Sequence, residues 1–293
     1  TYGDWSSDVC SSDLGIMPLF APLAYGAGCD PIALLWIRFN LAAIVLWIIV
    51  LTQRLPLPRP RHCFLLMAIG GIYVLQALCY FTALTLIPAS LVSLLLYLYP
   101  AIVAGLSILF GGEPRRPRTL TALALALAGV GLTVGLDAGK SALGLSLGLL
   151  MPWLYALYIL WVSRILAQGA SALAGLTWVM TGCGLLYSGL MSIRGGALPQ
   201  TPVGWGALVI IALVCTVLAV VTFFIGVQRI GATAAATLST WEPVVTVLTA
   251  AIFLGDRLSP WGLLGGGLIL GAVLLISTQN GSIQNTKSSA KSG

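Results

Sequence analysis

The sequence predicts an all-α membrane protein of ten transmembrane helices, arranged as a five-plus-five inverted repeat. Three observations predict this fold. The chain is 59% hydrophobic and 8% charged, with a mean hydropathy of +1.02, whereas a soluble domain carries about 25% charged residues. Many of its apolar runs are long enough to cross a bilayer, and its two halves match at an offset of 143 residues. No hydrophilic stretch is long enough to form a second soluble domain.

Residues 1–14 do not resemble a natural N-terminus. Within them, residues 4–14 read DWSSDVCSSDL, which resembles the conceptual translation of a common sequencing-adapter oligonucleotide. The string has neither the cationic start nor the apolar run of a signal peptide. We therefore interpret 1–14 as a non-native, adapter-derived segment. The first apolar run, 15–28, has fourteen residues, and we expect it to be a truncated first helix.

Ten apolar runs between helix breakers are candidate spans, because about 20 helical residues cross the ~30 Å hydrocarbon core. The first five form a predicted repeat over 15–136, and the second five form a repeat over 143–277. The polar tail, 278–293, is expected to be disordered. The ten runs are 15–28, 31–51, 64–84, 90–110, 120–136, 143–166, 172–193, 204–225, 231–254 and 259–277.

The basic residues predict the orientation. One set of loops and chain ends contains ten Lys and Arg residues, and the opposite set contains three. Because cytoplasmic loops carry the excess of positive charge, we expect a multi-pass protein of the cell inner membrane with both termini in the cytoplasm. The basic residues are dispersed among short loops, so the net charge of +6 does not indicate a nucleic-acid partner.

The internal match is most specific around two prolines. Tyr99-Pro100 aligns with Glu242-Pro243, and 110–113 aligns with 253–256, where each segment reads Phe-x-Gly-acid. No gap is needed from 81 to 113. Since each half contains an odd number of spans, the two halves have opposite orientations in the membrane, which is a recurrent transporter architecture.

Three segments carry the most distinctive motifs. They read LLWIRF (Leu34 to Phe39), YLYPAIVAGLSILFGGE (Tyr97 to Glu113) and WEPVVTVLTAAIFLGDRLSPWGLLGGGLILGAVLLIS (Trp241 to Ser277). They resemble the EamA-type transporters of the drug/metabolite transporter superfamily, over about 15–277. The resemblance implies a ten-helix inverted repeat that exports small metabolites, often amino acids. The usual family glutamate at the end of span nine is Asp256 here.

Two ionisable residues within spans are candidate substrate-binding residues. Glu242 lies in the otherwise uncharged run 231–254, where a carboxylate costs roughly 2.5–3.5 kcal/mol on insertion scales. It either faces a cavity or substrate, or is a neutral acid that bonds to a neighbouring helix. Arg38 lies about 10 Å from the outer end of span two. It either extends to the outer headgroups or faces the central cavity.

Polar and aromatic residues within the spans supply the other candidates for substrate binding. Tyr99 precedes Pro100, and a proline within a span removes a backbone donor and breaks the helix at a depth where sites form. Gln76 and Tyr80 lie in span three, and Trp153 lies in span six. These side chains either line a cavity, where they can stack on a substrate, or form an interfacial belt or ordinary helix packing.

We expect a secondary transporter that exports small organic metabolites such as amino acids. The sequence lacks the Gly-x-x-x-x-Gly-Lys-Ser/Thr loop, so ATP is not expected to drive transport directly. No cofactor, metal ligand or catalytic residue is predicted. The expected partners are a small-molecule substrate, the lipid bilayer and, if Glu242 couples transport, protons, in a monomer or homodimer. A membrane-embedded enzyme, or a receptor or scaffold without transport activity, is the alternative.

Overall fold

The computed structural model describes residues 16–110, 117–135, 141–166, 171–222, 242–256 and 259–289. At 110, 118, 134–135, 242–244 and 276–289 the description covers the backbone alone. Within these ranges every regular element is a helix. The segment 1–14, expected to be non-native, lies outside the described residues.

Eleven helices are present in the described part of the chain, and two of them continue as π-helix. They are α1 (Met17–Gly26), α2 (Pro31–Thr52), α3 (Pro60–Ala83), α4 (Ala89–Leu96), α5 (Tyr99–Phe110), α6 (Pro117–Gly135), α7 (Ala142–Leu166), α8 (Ala172–Arg194), α9 (Pro202–Ala212, then π-helix Leu213–Leu218), α10 (Glu242–Thr249, then π-helix Ala250–Leu254) and α11 (Pro260–Ser289).

Local sequence explains where many of these helices begin. Proline has no N–H to leave unpaired at a helix start, and its fixed φ already suits the first helical position. Asp30 adds a side-chain cap to α2, since its Oδ1 accepts a hydrogen bond from the Ala33 N–H at 2.7 Å. The helices that begin at proline are α2, α3, α6, α9 and α11, at Pro31, Pro60, Pro117, Pro202 and Pro260.

The fourth predicted span is interrupted in its middle. Helix α4 ends at Leu96 and α5 begins at Tyr99. Pro100 has no N–H for the carbonyl of Leu96, and its ring disfavours a regular preceding turn. The backbone at Leu98 therefore bonds to Leu95, three residues back, at 3.2 Å. The stretch Ala89–Leu109 is nevertheless long and apolar enough to cross a membrane, and the irregular turn lies near its centre.

Six helical stretches in the described residues are long and apolar enough to cross a membrane: Pro31–Thr52, Pro60–Ala83, Ala89–Leu109, Ala142–Leu166, Ala172–Arg194 and Pro202–Thr222. Shorter apolar stretches are Thr119–Thr133, Val245–Leu254 and Pro260–Leu275. Large apolar side chains cover the outside of the bundle; Phe64 is 73% exposed and Ile193 is 84% exposed. Such a surface fits a lipid environment, because soluble proteins rarely expose large contiguous apolar patches.

Helix α11 extends beyond the predicted end of its span at 277 and reaches Ser289. No proline follows Pro260 in the sequence, and proline is the residue that most strongly interrupts a helix. The disorder expected of the polar tail 278–293 stays a prediction.

Helix pairs from the two halves of the chain form the bundle. Helix α6 packs along α11, α2 along α8, and α3 against both α7 and α8. Helix α1 packs against α9, and α4 against α10. Between α2 and α8, the rings of Phe39 and Tyr187 stack with centroids 5.5 Å apart, and Trp47 meets Trp178 edge-on at 5.1 Å. This packing leaves a cavity among α1 to α5 and α7.

Candidate functional site

A small cavity lies at the depth of the α4–α5 interruption. The centre of a water molecule can move within about 80 Å³ of it. That space holds several waters or a small organic group, since one water needs about 10–15 Å³ by this measure. The lining residues are Met17, Arg38, Tyr73, Gln76, Ala77, Tyr80, Phe81, Leu96, Tyr97, Tyr99 and Tyr155.

Helix α3 forms one wall of the cavity. Tyr73, Gln76 and Tyr80 follow the three- and four-residue spacing that places side chains on one face of a helix. Gln76 is 5% exposed and Tyr80 is 4% exposed. Both predicted residues therefore line the cavity, buried within the bundle.

The interrupted stretch formed by α4 and α5 forms a second wall. In a regular helix, residues two apart point to nearly opposite sides. The irregular turn at 97–98 instead allows both Tyr97 and Tyr99 to line the cavity. The Tyr99 ring meets the Tyr155 ring of α7 edge-on, with centroids 4.7 Å apart. The break predicted from Pro100 is thus what places Tyr99 in the site.

Tyrosine rings connect the walls. Tyr73 of α3 stacks on Tyr158 of α7 with centroids 4.8 Å apart, and Tyr155 lies beside both. Phe39 of α2 meets Tyr73 edge-on at 5.6 Å. Aromatic faces and edges of this kind favour apolar or aromatic groups of a ligand.

Arg38 supplies the positive charge of the cavity. Its side chain is 4% exposed and lines the cavity, so it does not extend to the outer surface of the bundle. Its Nε donates a hydrogen bond to the Thr216 hydroxyl at 2.9 Å. The guanidinium carbon lies 5.3 Å from the ring centre of Phe39 and 5.4 Å from that of Phe81, within the range of cation–π attraction.

Thr216 lies in the π-helix that continues α9. Its hydroxyl donates to the carbonyl of Ile211, five residues earlier, at 2.8 Å. A π-helical turn changes the direction of side chains relative to an α-helix, and such turns are frequent at functional sites. Thr216 was not predicted as a site residue, because 178 residues separate it from Arg38. Tyr97 was not predicted either, although the pattern Tyr97-x-Tyr99 before a proline was an available signal.

Two carboxylates have described side chains, and each has another role. Asp30 accepts from the N–H groups of Ala33 and Ala197, at 2.7 and 3.1 Å. Asp256 Oδ2 accepts from the N–H and the hydroxyl of Ser90, both at 3.1 Å. Among the described side chains, therefore, no carboxylate pairs with Arg38.

The side chain of Glu242 lies outside the described residues, but its backbone begins α10. Helix α10 packs against α4, and Asp256, just beyond its π-helical end, bonds to Ser90 at the start of α4. The two helices are therefore antiparallel. The first turn of α10, at Glu242, lies towards the end of α4 that leads into Tyr97.

Trp153 does not line this cavity. It was predicted as a substrate-binding residue, but its side chain is 52% exposed on the outside of the bundle. The physical reason is helical geometry, because Trp153 and Tyr155 are two residues apart and face nearly opposite directions. With Tyr155 at the cavity, Trp153 faces outwards. No group of His, Cys, Asp and Glu that could hold a metal ion occurs among the described residues.

Comparisons with known proteins agree with this architecture. The model of the EamA-like transporter family matches the chain twice, over residues 14–135 and 142–278. The uncharacterised transporter YcbK of Bacillus subtilis (strain 168) is 30% identical in an alignment 261 residues long, which covers 83% of this chain and 82% of that protein. One solved crystal structure is similar in fold, with a TM-score of 0.63 at 18% identity, covering 92% of this chain and 95% of the other.

Proposed function

This chain belongs to the EamA-like transporter family, and from that membership and its aromatic cavity we propose that it is a secondary transporter exporting small organic metabolites such as amino acids. The observation that carries this proposal is the cavity at the interrupted fourth span, lined by a buried cation and several tyrosines. Broken helices near the midplane commonly form the substrate sites of secondary transporters.

We propose that the fold comprises ten spans as a five-plus-five inverted repeat, with α4 and α5 together forming span four. The double match of the family model supports this. The helix pairing supports it as well. When each span of one half is exchanged with its counterpart in the other half, the α3–α7 pair becomes the α9–α1 pair, and the α2–α8 and α6–α11 pairs stay the same. Such exchange is what a two-fold axis in the membrane plane produces.

The excess of basic residues in one set of loops supports an inner-membrane protein with both termini in the cytoplasm. An Arg116→Cys variant and a Lys140→Cys variant test this orientation in intact cells with a membrane-impermeant thiol reagent. We expect labelling at position 140 and none at position 116. Labelling at 116 in intact cells would reverse the assignment.

We propose that Arg38, Gln76, Tyr80, Tyr99 and Glu242 contact the substrate. The first four line one cavity. Helix α10 begins at Glu242 and packs against α4, the helix that leads into the turn at Tyr97 to Tyr99. Gln76 offers both a donor and an acceptor, and the tyrosines offer stacking surfaces. Proton coupling through Glu242 is the expected energy source, and the alternative is simple equilibration of the substrate.

Transport into proteoliposomes tests the proposed function. The purified protein is reconstituted, and uptake of a labelled metabolite panel rich in amino acids is compared with protein-free liposomes. We expect uptake of at least one solute, with a large loss in Tyr99→Ala. Trp161→Ala is the control, because Trp161 is 53% exposed on the outside of α7. Folded protein that moves no solute of the panel would favour the receptor or scaffold alternative.

A further inference from the structure

We propose that Arg38, held by Thr216, binds the carboxylate of the transported solute. The substrate class is then an organic carboxylate, whose apolar part lies against the tyrosines of the cavity. This inference rests on the proposed transport function and names the chemical group that its site recognises.

Arg38 is a charged residue buried inside the bundle. Its guanidinium is positively charged and it is 4% exposed. A buried charge is strongly disfavoured without a partner. The Phe39 and Phe81 rings at 5.3 and 5.4 Å offset part of this cost. Neither of the two carboxylates with described side chains pairs with it.

Thr216 holds the Arg38 guanidinium in a defined orientation. In the described part of the chain, the hydrogen bond from Arg38 goes from Nε to Thr216, and the Nη groups form the fork that matches a carboxylate with two parallel bonds. The Thr216 proton is directed to Ile211, so its oxygen acts as an acceptor towards Arg38. The π-helical turn therefore orients the guanidinium before any ligand arrives. Thr216 is a positioning residue in this scheme.

Aromatic side chains line the cavity next to Arg38. Arg38 shares the cavity with Tyr73, Tyr80 and Tyr99, so a solute bound at the guanidinium extends towards aromatic rings. Gln76 provides a neutral polar group on the same face of α3 as Tyr80. The combination of one fixed cation and an aromatic wall fits a small carboxylate with an apolar or aromatic substituent.

Matched ligand pairs test the charge requirement on the full-length protein in detergent. The probes are benzoate against benzamide, phenylacetate against phenylacetamide, and L-phenylalanine against L-phenylalaninamide. We expect the carboxylates, and not the amides, to raise the unfolding temperature and to compete in transport. This comparison uses the wild type alone, so a poorly folding variant does not weaken it. Equal responses to acids and amides would overturn the inference. That result is expected if the Glu242 carboxylate, and not the carboxylate of a ligand, pairs with the Arg38 guanidinium.

Variants then test the residues. Arg38→Gln should abolish the difference between acids and amides, and Arg38→Lys should retain part of it, since an ammonium lacks the bidentate fork. Thr216→Val should raise the KM for a transported carboxylate by about tenfold, the usual effect of losing a hydrogen bond to a charged group, with little change in the maximal rate. Thr216→Ser should restore the wild-type KM.

Thr177→Val is the matched control, because Thr177 is fully buried and, among the described residues, its hydroxyl bonds within its own helix, to the carbonyl of Leu173 at 2.9 Å. An equal KM change in Thr177→Val would show that Thr216 acts only through general packing. Transport of amines or neutral solutes with no preference for carboxylates would contradict this inference and leave the proposed function intact. Absence of all transport would contradict the proposed function itself.

Discussion

Replacing Gly129 with alanine tests the close contact between α6 and α11. A Cβ at this position would lie 2.6 Å from the carbonyl oxygen of Gly265 and 2.8 Å from the side chain of Ile269. The obstructing oxygen belongs to the backbone, so it cannot rotate away as a side chain can. The two helices must therefore move apart by roughly half an ångström or more.

The expected magnitude follows from two opposing terms. Overpacking of a well-packed interface costs about 1–3 kcal/mol. Alanine also has a better helix propensity than glycine, by up to about 1 kcal/mol. Gly131→Ala measures the gain in helix propensity alone, because a Cβ at position 131 meets nothing within 4 Å. The free energy of unfolding of Gly129→Ala should therefore fall below that of Gly131→Ala by about 1–3 kcal/mol.

The assay is unfolding in mixed micelles with increasing dodecyl sulfate, followed by tryptophan fluorescence. Gly131→Ala should unfold at or slightly above the wild-type midpoint, and Gly129→Ala below it. Gly265→Ala, whose Cβ would lie 3.0 Å from the Thr133 nitrogen, should behave like Gly129→Ala. Equal midpoints for Gly129→Ala and Gly131→Ala would refute the close-packing explanation of the glycines.

Three further predictions concern carboxylates and a thiol. Asp256→Ala should lower the free energy of unfolding by about 1 kcal/mol, because it removes the acceptor of both hydrogen bonds from Ser90 at the start of α4. Asp256→Asn should lower the free energy of unfolding by less. An unchanged thermal melting temperature in Asp256→Ala would contradict this. If Glu242 couples transport to protons, Glu242→Gln should abolish pH-driven accumulation of the substrate in proteoliposomes and spare substrate exchange between equilibrated pools. Wild-type transport rates and pH dependence in Glu242→Gln would exclude both a coupling role and a substrate-binding role for Glu242. Burial, and secondarily the charge of Asp30, raises the pKa of Cys29 to about 11. In a variant with Cys29 as its sole cysteine, maleimide labelling should therefore be slow at neutral pH and should accelerate with the thiolate fraction up to about pH 10. Fast labelling at pH 7 would contradict this, because it would show that the thiol is accessible and ionised.

Much of the helical framework was predictable from local signals. The prolines at helix starts, the Asp30 cap and the break before Pro100 all depend on residues close together in sequence. The motif resemblance to EamA-type transporters is confirmed by the family match.

The site was predictable in part. Tyr80, Gln76 and Tyr99 were identified as polar or aromatic residues within apolar spans, and Arg38 as a charge at membrane depth. All four line the cavity. Trp153 met the same criterion and faces outwards. In a span that is apolar on every side, hydrophobic periodicity does not mark the inner face, so residue type alone could not separate Trp153 from Tyr155.

The sequence by itself determined that this protein lies in a lipid bilayer, how far most of its helices extend, and which types of side chain are available to a site. These properties follow from composition and from interactions within a few residues. The tertiary structure alone decided which side chains meet. Arg38 finds Thr216 across 178 residues, and Gly129 approaches Gly265 only because α6 and α11 pack together. Such contacts depend on helix rotation and pairing, which in a membrane are set by close packing and polar contacts between helices rather than by burial of apolar faces from water.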